Sequence, residues 1–101
     1  MLEKTIEKKF ATAVKKRGGI AVKFVSPSFA GMPDRLCLLP GGKLGFVEIK
    51  APGKKPRPLQ IARHKLLRQL GFKVFILDNV TQIPVIIDEI GDISNEIQSN
   101  L

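Results

Sequence analysis

The sequence lacks tryptophan and tyrosine, and its aromatic residues are six phenylalanines. Proteins that bind single strands by base stacking present several aromatic side chains, so this composition argues against such a surface. A single cysteine, Cys37, allows neither an internal disulfide nor a cysteine-based zinc site, and its apolar surroundings favour burial. No apolar run approaches the roughly 18 residues that span a bilayer, and the charged N-terminus does not resemble a secretory signal. We therefore expect one globular domain in a reducing cytoplasm, away from the membrane.

Basic and acidic residues are distributed unequally along the chain. Residues 1–77 contain 17 basic and 4 acidic residues, whereas residues 78–101 contain 5 acidic and no basic ones. The formal net charge of +8 therefore combines a strongly basic body with an acidic C-terminal part. Such a body fits a polyanionic partner such as nucleic acid. The alternatives are a solvated basic surface and a ribosome-associated scaffold.

Hydrophobic periodicity and turn residues predict an α/β protein. Three helices are predicted, over residues 3–17, 59–70 and 81–90. Four strands are predicted, over residues 20–25, 34–39, 44–50 and 72–77. This order predicts a sheet with helices on its faces, formed by residues 1–91 and followed by a frayed polar tail at 92–101.

Two of these elements carry more specific expectations. The second and third strands flank Pro40-Gly41-Gly42-Lys43, so they are expected to form an antiparallel hairpin. In the helix over residues 59–70, the expected apolar stripe consists of Leu59, Ala62, Leu66 and Leu70.

Three charged residues, Asp34, Glu48 and Lys50, interrupt the apolar pattern of the hairpin strands. Glu48 and Lys50 are two residues apart, so their side chains share one face of the strand. A turn centred on Gly41 pairs Asp34 with Glu48, and a turn centred on Gly42 pairs Asp34 with Lys50. Both registers bring the three side chains to one face, whereas a slip by one residue moves Asp34 to the other face.

Two carboxylates placed about 5–8 Å apart on a strand pair repel each other unless a positive group separates them. Mg²⁺ accepts oxygen ligands, commonly one or two carboxylates together with water and substrate phosphate. In such a site Lys50 is suited to orient an attacking water or to stabilise developing negative charge. The pattern therefore predicts phosphodiester hydrolysis. The alternative is a cross-strand salt bridge of Lys50 with Asp34 or Glu48.

The same residues resemble the motif of the PD-(D/E)xK nucleases, in which a Pro-Asp precedes a Glu-x-Lys on adjacent strands. The sequence is most similar to the VRR-NUC (virus-type replication-repair nuclease) branch. The matching segments are Glu3–Glu7, Lys23–Pro27, Gly31–Asp34, Glu48–Gln60 and Leu67–Phe72. The resemblance covers roughly residues 3–80, and the whole ordered set is more specific than the short motif alone.

This resemblance implies a restriction-endonuclease-like core in αβββαβ order, with a mixed β-sheet flanked by helices. It implies Mg²⁺ or Mn²⁺ as the cofactor, held by Asp34, Glu48 and the backbone carbonyl of Ile49, with Lys50 as the catalytic lysine. It also adds a helical glutamate and makes Gln60 a member of the motif. Two glutamates, Glu3 and Glu7, are open for that role, because they lie four residues apart on one helix face.

Several cations lie close to this motif in the sequence. Their position beside the proposed metal site suggests contact with the DNA backbone for Lys54, Lys55, Arg57 and Arg63. His64 follows Gln60 by four residues on the same helix face. We expect it to be a partly exposed side chain that is also able to contact phosphate.

The leading hypothesis is a metal-dependent, structure-selective DNA endonuclease in a bacterial or phage-infected cell. Small members of the family resemble Holliday-junction resolvases, which implies four-way junctions as substrate and a homodimer that makes paired cuts. The hairpin and the loop over residues 27–33 are the candidate interface. Two alternatives stay open: a flap or nonspecific nuclease acting on branched or single-stranded DNA, and a nucleic-acid-binding module without catalysis.

Overall fold

A computed structural model describes residues 1–92 of the chain. Every predicted helix and strand is present, and each boundary lies within two residues of its predicted position. The elements are α1 (Glu3–Lys16), β1 (Ile20–Lys23), β2 (Arg35–Leu39), β3 (Lys43–Ile49), α2 (Pro58–Gln69), β4 (Lys73–Leu77), a 3-10 turn (Val80–Gln82) and α3 (Ile83–Ile90). From residue 93 onward, the predicted polar tail lies outside the described residues.

The four strands form one mixed sheet in the order β1-β2-β3-β4. The first two pairs are antiparallel, and β3 pairs with β4 in parallel after the chain crosses over through α2. The hairpin strands β2 and β3 are therefore the inner strands of the sheet. Their backbone edges are paired within the sheet, and the dimer interface expected at the hairpin and at residues 27–33 stays a prediction. In the candidate loop, by contrast, Phe29 is exposed.

The larger core cluster lies between one face of the sheet and two helices. Its helical members come from α1 (Ile6, Phe10, Val14) and from α3 (Ile83, Ile86, Ile87, Ile90). Gly45 permits this packing, because a Cβ atom there would lie 2.5 Å from Ile90 Cγ1. Cys37 is fully buried in this cluster, as expected, and burial raises the pKa of its thiol to about 11. No helix between residues 1 and 92 is both long and apolar enough to cross a membrane.

The helix α2 covers the other face of the sheet, where Leu67 packs with Phe46 and Val74. The predicted apolar stripe of α2 is wrong: Leu59, Ala62 and Leu70 are exposed, and Leu66 is half-buried. The buried residues are instead Gln60, His64 and Leu67. The helix is rotated in this way because its first two turns pack over the charged end of β3, where polar side chains have hydrogen-bonding partners.

Candidate active site

The hairpin register brings Asp34 and Glu48 together. Arg35 pairs with Val47, and the same register extended by one residue sets Asp34 opposite Glu48. This is the register predicted for a turn centred on Gly41. Asp34 Oδ1 accepts a hydrogen bond from the Ile49 amide at 3.1 Å, which fixes the carboxylate against β3.

Glu48 is 3% exposed and lies beneath the first turns of α2. Its Oε2 accepts a hydrogen bond from Gln60 Nε2 at 3.3 Å, and Lys50 Nζ lies 3.8 Å from the same oxygen. Its other oxygen, Oε1, lies 3.6 Å from His64 Nε2. Both of these last two atoms are buried and lack a hydrogen-bond partner. One oxygen of the Glu48 carboxylate thus has two polar partners, whereas the other oxygen accepts no hydrogen bond.

Burial disfavours the charged form of both carboxylates, and repulsion by Asp34 adds to this effect for Glu48. Burial, and secondly the charge of Asp34, raise the pKa of Glu48 to about 7, although the Lys50 ammonium acts in the opposite direction. Burial also raises the pKa of Asp34, against the lowering effects of the Ile49 amide and of Arg35. A divalent cation between two such carboxylates would relieve the repulsion and favour their charged forms.

The two candidate glutamates of α1 have different surroundings. The charge of Glu3 contributes to raising the pKa of both Asp34 and Glu48, so Glu3 lies near enough to act on the pair. Glu7 instead forms a salt bridge with the buried guanidinium of Arg35. Arg35 Nη1 in turn donates a hydrogen bond to the backbone carbonyl of Asp34 at 2.9 Å. Glu7 therefore acts on the backbone around Asp34 through Arg35.

Sequence reasoning did not identify Arg35, although a signal was present. Strand alternation places Arg35 on the same face of β2 as Cys37 and Leu39, which belong to the large core cluster. A charged residue on a buried face requires a partner from the element packed against it. Here that element is α1, and Glu7 is the partner.

Gln60 connects the start of α2 to the carboxylates. Its Oε1 accepts the Arg57 amide at 2.8 Å, which satisfies one of the free N–H groups at the helix start, while its Nε2 donates to Glu48. Pro58 is the first residue of the helix, where the backbone N–H that proline lacks would have no partner within the helix. The side chain of Gln60 is thus fixed at both ends, and it orients Glu48 without carrying charge.

His64 is 1% exposed, so the expectation of a partly exposed histidine is wrong. The helix rotation described above turns its ring toward Glu48. Burial lowers the pKa of its imidazole, and the charges of Arg68 and Lys50 lower it further. Both effects favour the neutral form of the ring.

The cations near the site fall into two groups. Lys54, Lys55 and Arg57 are exposed in the loop between β3 and α2, and the charge of Arg57 opposes the rise in the pKa of Glu48. Arg63 is committed elsewhere: its Nε donates to the Ala30 carbonyl at 2.8 Å, and its guanidinium carbon lies 3.9 Å from the ring centroid of Phe29. Arg63 therefore ties the loop preceding β2 to α2.

The donor set is suited to a hard cation. Within residues 1–92, no group of three or more His, Cys, Asp and Glu side chains is arranged to hold a metal ion. Two carboxylates are nevertheless enough for Mg²⁺, which commonly keeps waters and binds substrate phosphate in its other positions. The unsatisfied Glu48 Oε1 and the raised pKa values of both carboxylates fit a site that is completed by such an ion.

Comparisons with known proteins agree with this geometry. No family model matches the sequence. The chain is 54% identical over 77 residues to "Putative nuclease p44" of Acyrthosiphon pisum secondary endosymbiont phage 1, which covers 76% of this chain and 83% of the relative. A solved structure described as "VRR_NUC domain" superposes with a TM-score of 0.80 at 29% identity, over 87% of this chain and 97% of the other. The chain therefore belongs to the VRR-NUC family of PD-(D/E)xK nucleases, and its mixed sheet has that family's restriction-endonuclease-like fold.

Proposed function

We propose that this protein is a metal-dependent DNA endonuclease that hydrolyses phosphodiester bonds in branched DNA, with the four-way junction as its substrate. The observation that carries this proposal is the opposition of Asp34 and Glu48 across the hairpin, with Lys50 Nζ 3.8 Å from Glu48 Oε2. A protein that only binds nucleic acid gains little from carboxylates of this kind, since they repel phosphate. The nuclease relative described above supports the same chemistry.

In this proposal Asp34, Glu48 and the backbone carbonyl of Ile49 hold Mg²⁺ or Mn²⁺. Such an ion, when bound, would supply Lewis-acid chemistry to the scissile phosphate and would lower the pKa of a water. Lys50 orients the attacking water and stabilises the negative charge that develops on the phosphate. Gln60 donates to one oxygen of Glu48, the His64 ring lies beside the other, and Glu3 lies near the site.

The exposed cations Lys54, Lys55 and Arg57 supply contacts to the DNA backbone beside the reacting phosphate. Contacts of this kind position the substrate without reading its sequence, and they weaken steeply as salt is added. Two residues that were grouped with these cations on sequence grounds have different surroundings: Arg63 contacts Ala30 and Phe29, and the His64 ring is buried beside Glu48. We assign Arg63 to shaping the loop before β2, and His64 to Glu48.

Resolution of a four-way junction requires two cuts, and we propose that a homodimer supplies the two sites. The exposed edge strand β1 and the exposed loop carrying Phe29 are the surfaces suited to this contact. The mass of the protein at assay concentration tests the dimer directly. A monomer that cleaves junctions in full would remove this part of the proposal.

The decisive experiment compares a labelled synthetic four-way junction with the matching linear duplex in Mg²⁺, Mn²⁺ or EDTA. Symmetric nicks in the junction alone, absent in EDTA and absent for Asp34→Asn, are the expected result. Cleavage of flaps or linear DNA at the same rate would show that the enzyme acts on a broader class of DNA substrates than four-way junctions. Binding without cleavage in either metal would contradict the enzymatic proposal and favour a binding module.

A further inference from the structure

The outer side of α1 carries a basic groove that lies outside the site described above. The groove has a volume of about 640 Å³, and four lysines line it: Lys4, Lys8, Lys9 and Lys16. All four are exposed, and none of the residues that line the groove is acidic. All of the lining residues lie on α1 or directly precede it, so the four lysines cluster along one side of the helix, where their combined charge attracts a polyanion.

The charges of these lysines are not neutralised within the part of the chain that the structure describes. Neither glutamate of α1 pairs with these lysines: Glu7 pairs with Arg35, and Glu3 lies near the carboxylates of the site. None of the four lysines forms an ion pair with another residue between 1 and 92. Lys4 and Lys8 also lie four residues apart, a spacing at which like charges destabilise a helix. An external polyanion would compensate this repulsion.

The position of the groove relates it to the site. It begins at Lys4, next to Glu3, and extends to Lys16, a distance of about 18 Å at the helical rise of about 1.5 Å per residue. That length corresponds to about five base pairs of duplex DNA, at about 3.4 Å per phosphate along one strand. A regularly charged backbone therefore matches the groove better than a small anion does.

The groove and the exposed loop after β3 approach the carboxylates from opposite faces of the sheet. The helix α1 packs on the face that buries Ile6 and Phe10, whereas the loop leads into α2 on the other face. One straight duplex arm is able to follow one of these surfaces. Two arms that diverge at a branch are able to occupy both.

We propose that the lysine groove of α1 binds the phosphate backbone of a second duplex arm of a branched DNA substrate. This inference rests on the proposed function, because it names the part of the substrate that the basic loop does not contact. The second contact would explain a preference for branched DNA, because a linear duplex bound at the loop does not reach the groove. Base identity plays no role in it.

The test uses the full chain carrying Asp34→Asn, in EDTA, so that binding is measured without cleavage. Lys8→Gln/Lys9→Gln removes two charges from the groove. The matched control, Lys15→Gln/Lys65→Gln, removes two exposed charges outside it. Glutamine keeps helix propensity close to that of lysine, so both variants are expected to fold, and their melting curves check this.

We expect the groove variant to lose about tenfold in junction affinity and to reduce the slope of log Kd against log salt by about 1.8, as two lost phosphate contacts require. Its affinity for the linear duplex is expected to equal that of the control. The inference is overturned if the groove variant binds the junction as tightly as the control variant does. It is also overturned if the groove variant loses the same affinity for the junction and for the linear duplex. A junction that is bound through the groove but never cleaved by the unsubstituted protein contradicts the nuclease proposal and leaves the groove standing.

Discussion

His64 Nε2 lies 3.6 Å from Glu48 Oε1, and both atoms are buried without a hydrogen-bond partner. Unsatisfied buried polar atoms reduce stability, typically by about 1–3 kcal/mol for each group. A neutral imidazole and a carboxyl group with a pKa of about 7 thus face each other at a cost to the fold. Unfavourable contacts of this kind are typical of functional sites, so we attribute the pair to the function of the site and not to the stability of the core.

Replacing His64 by leucine should show whether His64 acts on Glu48 or only contributes to the stability of the fold. In His64→Leu, apolar carbon replaces the imidazole that lies 3.6 Å from Glu48 Oε1, so the pKa of Glu48 should rise. We expect the pH profile of cleavage to move upward. His64→Gln, which keeps an N–H donor, should move it less. An unchanged profile with reduced stability would mean that His64 only fills space.

Neutralising either carboxylate of the hairpin should uncouple cleavage from binding. Asp34→Asn or Glu48→Gln is expected to lower the cleavage rate by about a thousandfold or more, since a cation held there contributes several kcal/mol. DNA affinity in EDTA should stay the same or increase, because a charge that repels phosphate is gone. Glu89→Gln, at an exposed acidic position on α3, is the control for net charge. Variants that cleave at the normal rate would refute the assignment.

The stability of the metal-free protein should depend on pH in an unusual direction. Glu48 has a pKa of 4.5 in the unfolded chain and about 7 in the folded protein, so the folded state binds its proton more tightly. The free energy of unfolding should therefore fall as the pH rises from about 4.5 to about 7, by about 3 kcal/mol. Asp34 contributes in the same direction.

Urea unfolding in EDTA at a series of pH values measures this decrease, and Glu48→Gln should lack most of it. Added Mg²⁺ should restore stability, and more so at higher pH, because the ion binds the charged carboxylates. A pH dependence that is the same in Glu48→Gln and in the unsubstituted protein would show that other groups cause it.

The strands and their shared face could be predicted because local patterns specify them. The turn after β2 limits the register to few choices, and alternation then aligns Asp34, Glu48 and Lys50. The buried face of α2 could not be predicted in the same way. Apolar periodicity assumes that burial follows hydrophobicity, but this helix covers a buried carboxylate, so Gln60 and His64 lie inside. Contacts between α1 and the strands could not be assigned from local sequence either, although strand alternation places Arg35 on a buried face.

The two glutamates of α1 should respond differently to substitution. Glu3→Gln removes a charge that acts on Asp34 and Glu48, so it should change the cleavage rate and the apparent Mg²⁺ requirement while leaving stability nearly unchanged. Glu7→Gln leaves the buried guanidinium of Arg35 without its ionic partner and should lower the free energy of unfolding by about 2 kcal/mol. Urea unfolding and Mg²⁺ titration of cleavage measure the two effects. The reverse pattern would exchange the roles assigned to these residues.

Substitutions of Gln60 should distinguish its two hydrogen bonds, one that caps the start of α2 and one that is donated to Glu48. Gln60→Glu keeps an oxygen to accept the Arg57 amide, but it loses the N–H that donates to Glu48 Oε2 and adds a charge beside a buried carboxylate. We expect cleavage at pH 7 to fall by about tenfold or more, because repulsion raises the pKa of Glu48 further. Gln60→Ala loses both hydrogen bonds and should also lower the free energy of unfolding by about 1–2 kcal/mol. Cleavage rates and urea unfolding of the two variants, compared at pH 7 and pH 9, separate the effects. If the higher pH restores cleavage in Gln60→Glu, the defect lies in the protonation of Glu48; if it does not, Gln60 acts through the geometry of the site.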